Sequence, residues 1–303
     1  MARTLRTACV QLLPAFKNPP RSRERADALI SRLLPNTLDL LVLPEMAFTG
    51  YCFESRRDIE SFVESPETGE TMRWAERTAC RLNCYTVVGV PTVAPDASTS
   101  TPPAFYNSLL IVSPSGALSG VYHKHHLYGT LTNDAADYLW ATPGEAFVAL
   151  DLPFPSSSPH HAQGASFRLV PGICMDLNEK DFALTREYAL ASFAARQRAD
   201  VLVVAMSWLD AEPPAEGDEG KEVRDEWVLV RDTLSYWVMR CAPLLGSGAA
   251  LVAANRVGRE GDTVFTGSSC VAELGDRPAI VQYASKRREE VMLAEVELPQ
   301  RGQ

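Results

Sequence analysis

The sequence has neither an excess of positive charge nor a long apolar run. Its 29 lysine and arginine residues stand against 38 acidic residues, which gives a net charge of −9. A protein that binds nucleic acid needs a basic face, so this balance argues against that class of partner. No apolar run approaches the roughly 20 residues that a membrane-spanning helix requires, so we expect no membrane segment.

The seven cysteines lack the pattern of a disulfide-rich or zinc-binding protein. Their number is odd and their positions are scattered, which is typical of a protein in a reducing compartment. Cys80 and Cys84 are the one closely spaced pair, and a zinc site of this kind would need a second pair. A strand pattern begins by Leu5 and leaves no room for a targeting peptide, so we expect a cytoplasmic protein.

Strand and helix patterns alternate along the 303 residues, and no linker separates two cores. Short apolar runs, such as residues 38–43 and 201–206, are typical of strands that are covered on both faces. Apolar residues at helical spacing predict helices over residues 23–34, 68–82, 179–198 and 225–241. We therefore expect one α/β domain over residues 1–303, with the charged segment 212–224 as an insertion.

Three chemical groups follow directly after predicted strands. They are the carboxylate of Glu45, the ammonium of Lys124 and the thiol of Cys174. Each alone has an ordinary explanation, because charged residues often end strands and most free cysteines are buried apolar residues. Active sites in α/β proteins are usually built at the carboxyl ends of strands, so the three together indicate such a site.

The stretch around Cys174, RLVPGICMDLN (168–178), predicts a strand that Pro171-Gly172 ends and a helix that Asn178 caps. A cysteine at such a turn has its sulfur exposed near the amides of a helix N-terminus. Helix amides favour the thiolate, which is the nucleophilic form. The sequence therefore predicts Cys174 as a nucleophile with a stabilised thiolate.

Five segments resemble the nitrilase, or carbon–nitrogen hydrolase, superfamily and occur in that superfamily's order. They are LLVLPEMAFTGY (40–51), YHKHHLY (122–128), GICMDLN (172–178), VLVVAMSW (201–208) and AANRVGREGDTVFTGSS (253–269). The resemblance implies a four-layer αββα sandwich, no metal or other cofactor, and a catalytic triad formed by Glu45, Lys124 and Cys174.

Amide hydrolysis explains why these three residue types are needed together. Glu45 would act as a general base and remove the thiol proton of Cys174, which then attacks a carbonyl carbon. Lys124 and the backbone N–H of Met175 would stabilise the oxyanion, and water would hydrolyse the resulting thioester.

Many members of the superfamily have a second glutamate between the lysine and the cysteine. Residues 128–140 (YGTLTNDAADYLW) contain no glutamate, and their two acids are Asp134 and Asp137. Asp134 is our preferred candidate for the residue that assists Lys124.

The residues after the cysteine, Met-Asp-Leu-Asn, are similar to the branch of protein N-terminal amidases, which deamidate N-terminal asparagine and glutamine. The expected partners are therefore peptide or protein N-termini that carry Asn or Gln. Asp176 is a candidate ligand for the α-amino group and Asn178 for the carboxamide, while Tyr51 and Trp208 could wall the pocket. Asp176 and Asn178 could instead brace the turn or cap a helix, and Trp208 could be a core residue.

Other hypotheses share part of this evidence. The histidines at 123, 125 and 126, together with His160 and His161, could bind a metal, or one of them could pair with Cys174 as in a cysteine protease. A protease dyad would leave the glutamate and the lysine without roles. A small-molecule amidase, nitrilase or carbamoyl hydrolase would have the same triad, and an inactive binding scaffold is the alternative from another class.

The helix predicted over residues 225–241 carries two tryptophans. It could form a homodimer interface, as helix faces do in related proteins, or it could be part of the core.

Overall fold

A computed structural model of the protein describes residues 3–94, 103–129, 137–183, 187–213 and 226–299. These residues form two six-stranded sheets and a separate two-stranded ribbon. The first sheet has the strand order β14-β1-β2-β3-β4-β5, the second has the order β13-β12-β9-β8-β7-β6, and the ribbon is β10-β11.

The strands and helices have the following bounds. The strands are β1 (Arg3–Gln11), β2 (Leu40–Val42), β3 (Tyr85–Val93), β4 (Phe105–Val112), β5 (Leu118–His123), β6 (Leu150–Pro153), β7 (Ser166–Ile173), β8 (Val201–Met206), β9 (Ala250–Asn255), β10 (Val257–Glu260), β11 (Thr263–Thr266), β12 (Cys270–Glu273), β13 (Ala279–Tyr283) and β14 (Glu290–Leu298). The α-helices are α1 (Pro19–Ile30), α2 (Arg56–Ile59), α3 (Glu70–Leu82), α4 (Ala189–Arg196) and α5 (Glu226–Arg240).

The two sheets face each other, and helices cover their outer sides. The thiol of Cys9 on β1 lies 3.9 Å from the carbonyl oxygen of Ala253 on β9, so the sheets share one apolar core. Helices α1 and α3 pack with the apolar residues on the outer face of the first sheet. Helices α4 and α5 pack with the second sheet through residues such as Leu190 and Trp237. The four-layer αββα sandwich that the resemblance implied is confirmed.

The parallel strands of the two sheets bring the predicted site residues together. Strands β1, β2 and β3 run parallel to one another in the first sheet, and β7, β8 and β9 do so in the second. The hairpin predicted over residues 108–122 is confirmed as β4 and β5, and β5 returns in the direction of β3. Glu45 after β2, Lys124 after β5 and Cys174 after β7 therefore follow strands that end toward one region.

The sequence predicted that strand β7 ends at Pro171-Gly172, and this prediction was wrong. The strand continues to Ile173, and its residues from Leu169 to Ile173 pair in parallel with β8. The antiparallel partner β6 begins at Leu150, opposite Leu169, and its pairing extends no further along β7, so the proline lies where β7 has a neighbour on one side only. Proline is tolerated at such an edge because its missing N–H leaves no ladder bond unmade.

The prediction of a single helix over residues 179–198 was largely wrong. Residues 180–182 form a single 3₁₀ turn, and α4 begins only at Ala189. Tyr188 has a positive φ of 48°, which a continuous helix cannot contain, and its N–H donates to the Glu179 side chain. Asn178 consequently does not cap this helix, and the apolar spacing there reflects the packing of α4 alone.

The helix predicted over residues 225–241 is confirmed as α5, with Asp225 outside the described residues. Leu234 and Trp237 are buried, while Trp227 and Met239 lie exposed. The helix therefore contributes to the core with one side, and a homodimer through its other side stays a prediction. None of the described helices combines the length and the apolar composition that crossing a membrane requires.

Candidate active site

The ammonium of Lys124 is held between two buried carboxylates. Its Nζ lies 2.6 Å from Oε1 of Glu45 and 2.6 Å from Oδ2 of Asp137, and the three side chains have no exposed surface. The acid that contacts the lysine is thus Asp137, the second of the two acids that the sequence offered. The preferred candidate, Asp134, lies outside the described residues.

Asn107 and Ser207 fix the orientation of the Glu45 carboxylate. The Asn107 amide donates to Oε1 of Glu45 at 2.7 Å and to Oδ1 of Asp137 at 3.2 Å, so it joins the two acids. The backbone N–H of Ser207, the first residue after β8, donates to Oε2 of Glu45 at 2.7 Å. Sequence reasoning missed both residues, although a lone asparagine within the apolar strand β4 is a usable signal, because buried polar groups need partners.

Cys174 is the first residue of a 3₁₀ turn, Cys174–Leu177, and has a positive φ of 42°. A positive φ is uncommon for a residue with a side chain, and such strained backbone is frequent at functional sites. The side chain is 7% exposed and lines a cavity of about 200 Å³.

The predicted stabilisation of the Cys174 thiolate was wrong. Burial and the negative charge of Glu45 raise the pKa of this thiol well above its usual range. Lys124 and the backbone N–H of Ser207 oppose that rise without cancelling it. A turn of four residues has little helix dipole, so desolvation dominates and the resting residue is a neutral thiol.

The other two members of the cluster have shifted pKa values with different causes. Burial raises the pKa of Glu45, and the charge of Asp137 adds to the effect while Lys124 opposes it. Burial disfavours the charged form of Lys124, but the charges of Asp137 and Glu45 outweigh it and raise the pKa of the ammonium. Lys124 therefore keeps its positive charge, and Glu45 is a stronger base than an ordinary glutamate.

The cavity in front of Cys174 is mostly apolar and includes several predicted site residues. Its lining residues are Tyr51, Tyr128, Cys174, Met175, Asn178, Phe182, Ser207, Trp208 and Leu209. A second cavity of about 540 Å³ shares Tyr51, Tyr128 and Leu209 with it. The candidates Tyr51, Asn178 and Trp208 thus lie at the cavity, and Met175 follows the cysteine within its wall.

Asp176 does not line this cavity. Its Oδ2 accepts hydrogen bonds from the Tyr122 hydroxyl and the Ile173 N–H, and its Oδ1 accepts from the N–H groups of His125 and His126. These four donors come from the two segments that carry Lys124 and Cys174. The geometry therefore favours the bracing role over contact with the substrate's α-amino group.

Asn178 connects the cysteine turn to helix α5. Its Oδ1 accepts a hydrogen bond of 2.6 Å from the Tyr236 hydroxyl, and its Nδ2 lies 3.6 Å from the sulfur of Met175. Its carbonyl oxygen lies 3.0 Å from Nδ1 of His126. The side chain is thus fixed at the edge of the cavity, from which it can still reach a ligand with part of its hydrogen-bonding capacity.

The histidines make hydrogen bonds to separate parts of the chain. Nδ1 of His123 is 2.7 Å from the Ser108 hydroxyl, and Nδ1 of His125 is 2.7 Å from the carbonyl oxygen of Gly144. His160 accepts from the N–H of Thr4. Within the described ranges, no group of histidine, cysteine and acidic residues has an arrangement that fits a metal ion.

A buried ion pair supports the segment that carries Tyr51. Nη1 of Arg256 lies 2.5 Å from Oε1 of Glu260, and neither side chain is more than 1% exposed. Oε2 of Glu260 accepts the N–H groups of Tyr51 and Cys52, each at 2.9 Å. Sequence reasoning did not single out this pair, although both residues lie within the last of the five resembling segments.

Comparisons with known proteins find relatives over most of the chain. The family model described as Carbon-nitrogen hydrolase matches residues 6–211. The protein N-terminal amidase of Schizosaccharomyces pombe is 29% identical over 97% of this chain and 100% of its own length. The nitrilase of Pyrococcus abyssi is 26% identical over 97% of this chain and 90% of its own. A solved N-terminal amidase with a Gln-Val peptide has a TM-score of 0.82 at 18% identity, covering 98% of this chain and 99% of that one.

Proposed function

The chain belongs to the carbon–nitrogen hydrolase family, and on that premise we propose that it deamidates N-terminal asparagine or glutamine residues of peptides or proteins. The reaction converts the side-chain carboxamide into a carboxylate and releases ammonia. Glu45, Lys124 and Cys174 form the proposed triad, and Asp137 and Asn107 hold it in place.

The first half-reaction starts from a neutral thiol. The Glu45 carboxylate takes the proton of the Cys174 thiol while the sulfur attacks the carboxamide carbon. The carbonyl oxygen becomes an oxyanion, which the Lys124 ammonium and the Met175 N–H stabilise. Collapse of this intermediate breaks the carbon–nitrogen bond. The leaving nitrogen takes the proton from Glu45 and departs as ammonia, which leaves a thioester on Cys174.

The second half-reaction restores the enzyme. Glu45, again a carboxylate, takes a proton from water while the water oxygen attacks the thioester carbon. The carbon–sulfur bond then breaks, and the sulfur regains a proton from Glu45. The product leaves as a carboxylic acid, which gives up its proton to solvent and becomes the side-chain carboxylate. The raised pKa of Glu45 suits this alternation between base and acid, because its proton affinity lies closer to neutral pH.

The position of Cys174 carries this proposal: its side chain lines a small cavity, and it interacts electrostatically with Glu45 and Lys124. A cavity of about 200 Å³ suits the side chain of a single residue, and the adjoining cavity of about 540 Å³ offers room for the following peptide. The substrate class is supported by the name of the Schizosaccharomyces pombe relative, which covers almost the whole chain.

A panel of short peptides tests the proposal. Peptides that begin with Asn or Gln are incubated with the enzyme, and mass spectrometry and ammonia release report conversion to Asp or Glu. The controls are the same peptides with the amide residue moved to the second position, and the Cys174→Ala variant, which should keep its fold and release no ammonia. Release by Cys174→Ala at the wild-type rate would disprove the proposed nucleophile.

The panel also separates this proposal from its alternatives. Small amides such as succinamate and glutaramate, a nitrile and a carbamoyl amino acid are added as free substrates. Turnover of these compounds without turnover of Asn- or Gln-led peptides would assign a small-molecule hydrolase of the same family. Failure of every substrate with folded protein would favour the binding scaffold.

A further inference from the structure

An N-terminal amidase must recognise the substrate's free α-ammonium group, and the cavity offers no obvious acidic partner for it. Among the nine lining residues that the structure describes, none is acidic. The buried carboxylates nearby already have partners: Glu45 and Asp137 share Lys124, and Asp176 accepts four hydrogen bonds. An ion pair with one of these acids would require an existing buried contact to break.

The buried charged groups near the cavity sum to an excess of negative charge. Glu45 and Asp137 carry two negative charges against the single positive charge of Lys124, so an ionised cluster has one negative charge in excess. All three side chains are fully buried, and buried charges are poorly screened by salt. We expect this net charge to attract a cation in the neighbouring cavity without direct contact to a carboxylate.

Aromatic rings line the cavity and could contact the ammonium group, which the nearby acidic side chains do not reach. Tyr51, Tyr128, Phe182 and Trp208 line the cavity, and a cation within about 6 Å of a ring centroid is attracted by the ring. The ring of Tyr51 already has a cation, because Nζ of Lys124 lies 5.7 Å from its centroid. Tyr128 and Trp208 are the remaining rings that also carry a polar group.

Both of these rings are held by neighbours. Trp208 packs against Trp237, with a centroid distance of 5.8 Å, and its backbone N–H donates to Oδ1 of Asn255 at 2.9 Å. Tyr128 meets Phe182 edge-on at 6.2 Å, and its backbone N–H donates to Asp137 at 2.8 Å. Fixed rings lose little entropy when a ligand binds, which favours recognition.

We propose that Trp208 and Tyr128 recognise the α-ammonium group of the substrate by cation–π contact, in the field of the Glu45–Lys124–Asp137 cluster. This inference rests on the proposed function, since it assigns specificity-determining residues to the same cavity. Such contacts would let a mostly apolar cavity select the first residue of a chain over an internal one, which has an amide in place of the ammonium.

A pair of matched substrates isolates the ammonium. One is a tripeptide that begins with glutamine, and the other is its des-amino analogue, with a 4-carbamoylbutanoyl group in place of the glutaminyl residue. Both present the same carboxamide to Cys174. The ratio of their kcat/KM values measures what the ammonium contributes to transition-state binding, and effects on the chemistry common to both substrates cancel.

The expected result is a loss of this ratio when a ring is removed. Trp208→Leu should lower it on the order of tenfold, and Trp208→Phe should lower it less, because tryptophan is the strongest cation–π partner. Tyr128→Leu should lower it, whereas Tyr128→Phe should retain most of it. Trp227→Leu, the same type of change on the exposed side of α5, is the control and should leave the ratio at its wild-type value.

Each contrary outcome has a distinct meaning. If the wild-type enzyme turns over the glutamine peptide and the ratio is unchanged in Trp208→Leu and Tyr128→Leu, the inference is overturned and the proposed function is not. If the ratio falls in Glu54→Gln and not in the ring variants, the ammonium is bound by this carboxylate of the adjoining cavity and not by the rings. That result would also overturn the inference. Absence of turnover of the glutamine peptide by the wild-type enzyme would overturn the proposed function, and the inference with it.

Discussion

Oδ2 of Asp137 lies 2.6 Å from Nζ of Lys124, so this lysine has a second carboxylate partner besides Glu45. With a single acid, the lysine and Glu45 would form a closed ion pair, and that pair would weaken Glu45 as a base. A second acid shares the positive charge, and its own negative charge contributes to the raised pKa of Glu45. We therefore propose Asp137 as a positioning residue that acts through its two neighbours, Lys124 and Glu45.

The first prediction removes the charge of Asp137. Asp137→Asn should lower kcat by about 100-fold, because Lys124 then draws its charge compensation from Glu45 alone and the proton transfer becomes harder. Asp137→Glu should recover part of the loss. Ammonia release from a Gln-led peptide measures the effect, and Asp232→Asn, on an exposed side chain, is the matched control. A wild-type kcat in Asp137→Asn would show that the lysine needs only one acid.

The second prediction concerns the dependence of activity on pH. Burial raises the pKa of Glu45 above the 4.5 of an ordinary glutamate, so protonation removes the base at a higher pH than usual. The fall of kcat/KM on the acid side should therefore have its midpoint above 4.5. Circular dichroism at the same pH values checks that the protein remains folded. A midpoint at or below the ordinary value would contradict the assignment of Glu45 as the base.

Much of the site could be predicted from the sequence because its groups follow apolar strands. The short apolar runs before Glu45 and Cys174 locate the strands that precede these residues, and parallel strands of layered α/β proteins bring their carboxyl ends together. The protonation state of Cys174 could not be predicted in this way. It depends on desolvation and on the charge of Glu45, which are properties of the assembled cavity and not of the turn.

The contacts made by particular acids were also beyond prediction. Asp134 and Asp137 occur in one short segment with similar surroundings in the sequence, and only the folded chain brings Asp137 to Lys124. Asp176 was considered for substrate binding because it lies close to the cysteine. The direction in which its carboxylate points depends on the N–H donors of the segment around His125, which lies about 50 residues earlier in the chain.

The third prediction tests the bracing role of Asp176. Asp176→Asn replaces one acceptor oxygen with an NH₂ group, which must face two of the four present donors. The free energy of unfolding should fall by about 2–4 kcal/mol, since at least two buried groups lose their partner. Urea denaturation measures this loss. The kcat/KM values for the Gln-led peptide and its des-amino analogue should fall by the same factor. A larger fall for the peptide would instead support a direct contact between Asp176 and the α-amino group.

The fourth prediction concerns the buried pair that holds the Tyr51 segment. Glu260→Gln removes the negative charge beside Arg256 and leaves a buried guanidinium without its ion-pair partner. The free energy of unfolding should fall by about 3–5 kcal/mol, as is usual when one member of a buried pair is removed. Arg256→Met should also be destabilising, because it leaves the Glu260 carboxylate as the unpaired charge.

The double variant, Arg256→Met with Glu260→Gln, should be more stable than the sum of the two single changes predicts. It contains no unpaired buried charge, and the glutamine oxygen can still accept the N–H groups of Tyr51 and Cys52. Urea denaturation of the four proteins gives the coupling free energy directly. Activity adds a second readout: if the ion pair serves only to hold Tyr51 at the cavity, the double variant should recover kcat along with stability. Additive losses of stability would instead show that the two side chains contribute independently, through packing such as that of Arg256 on the ring of Phe265.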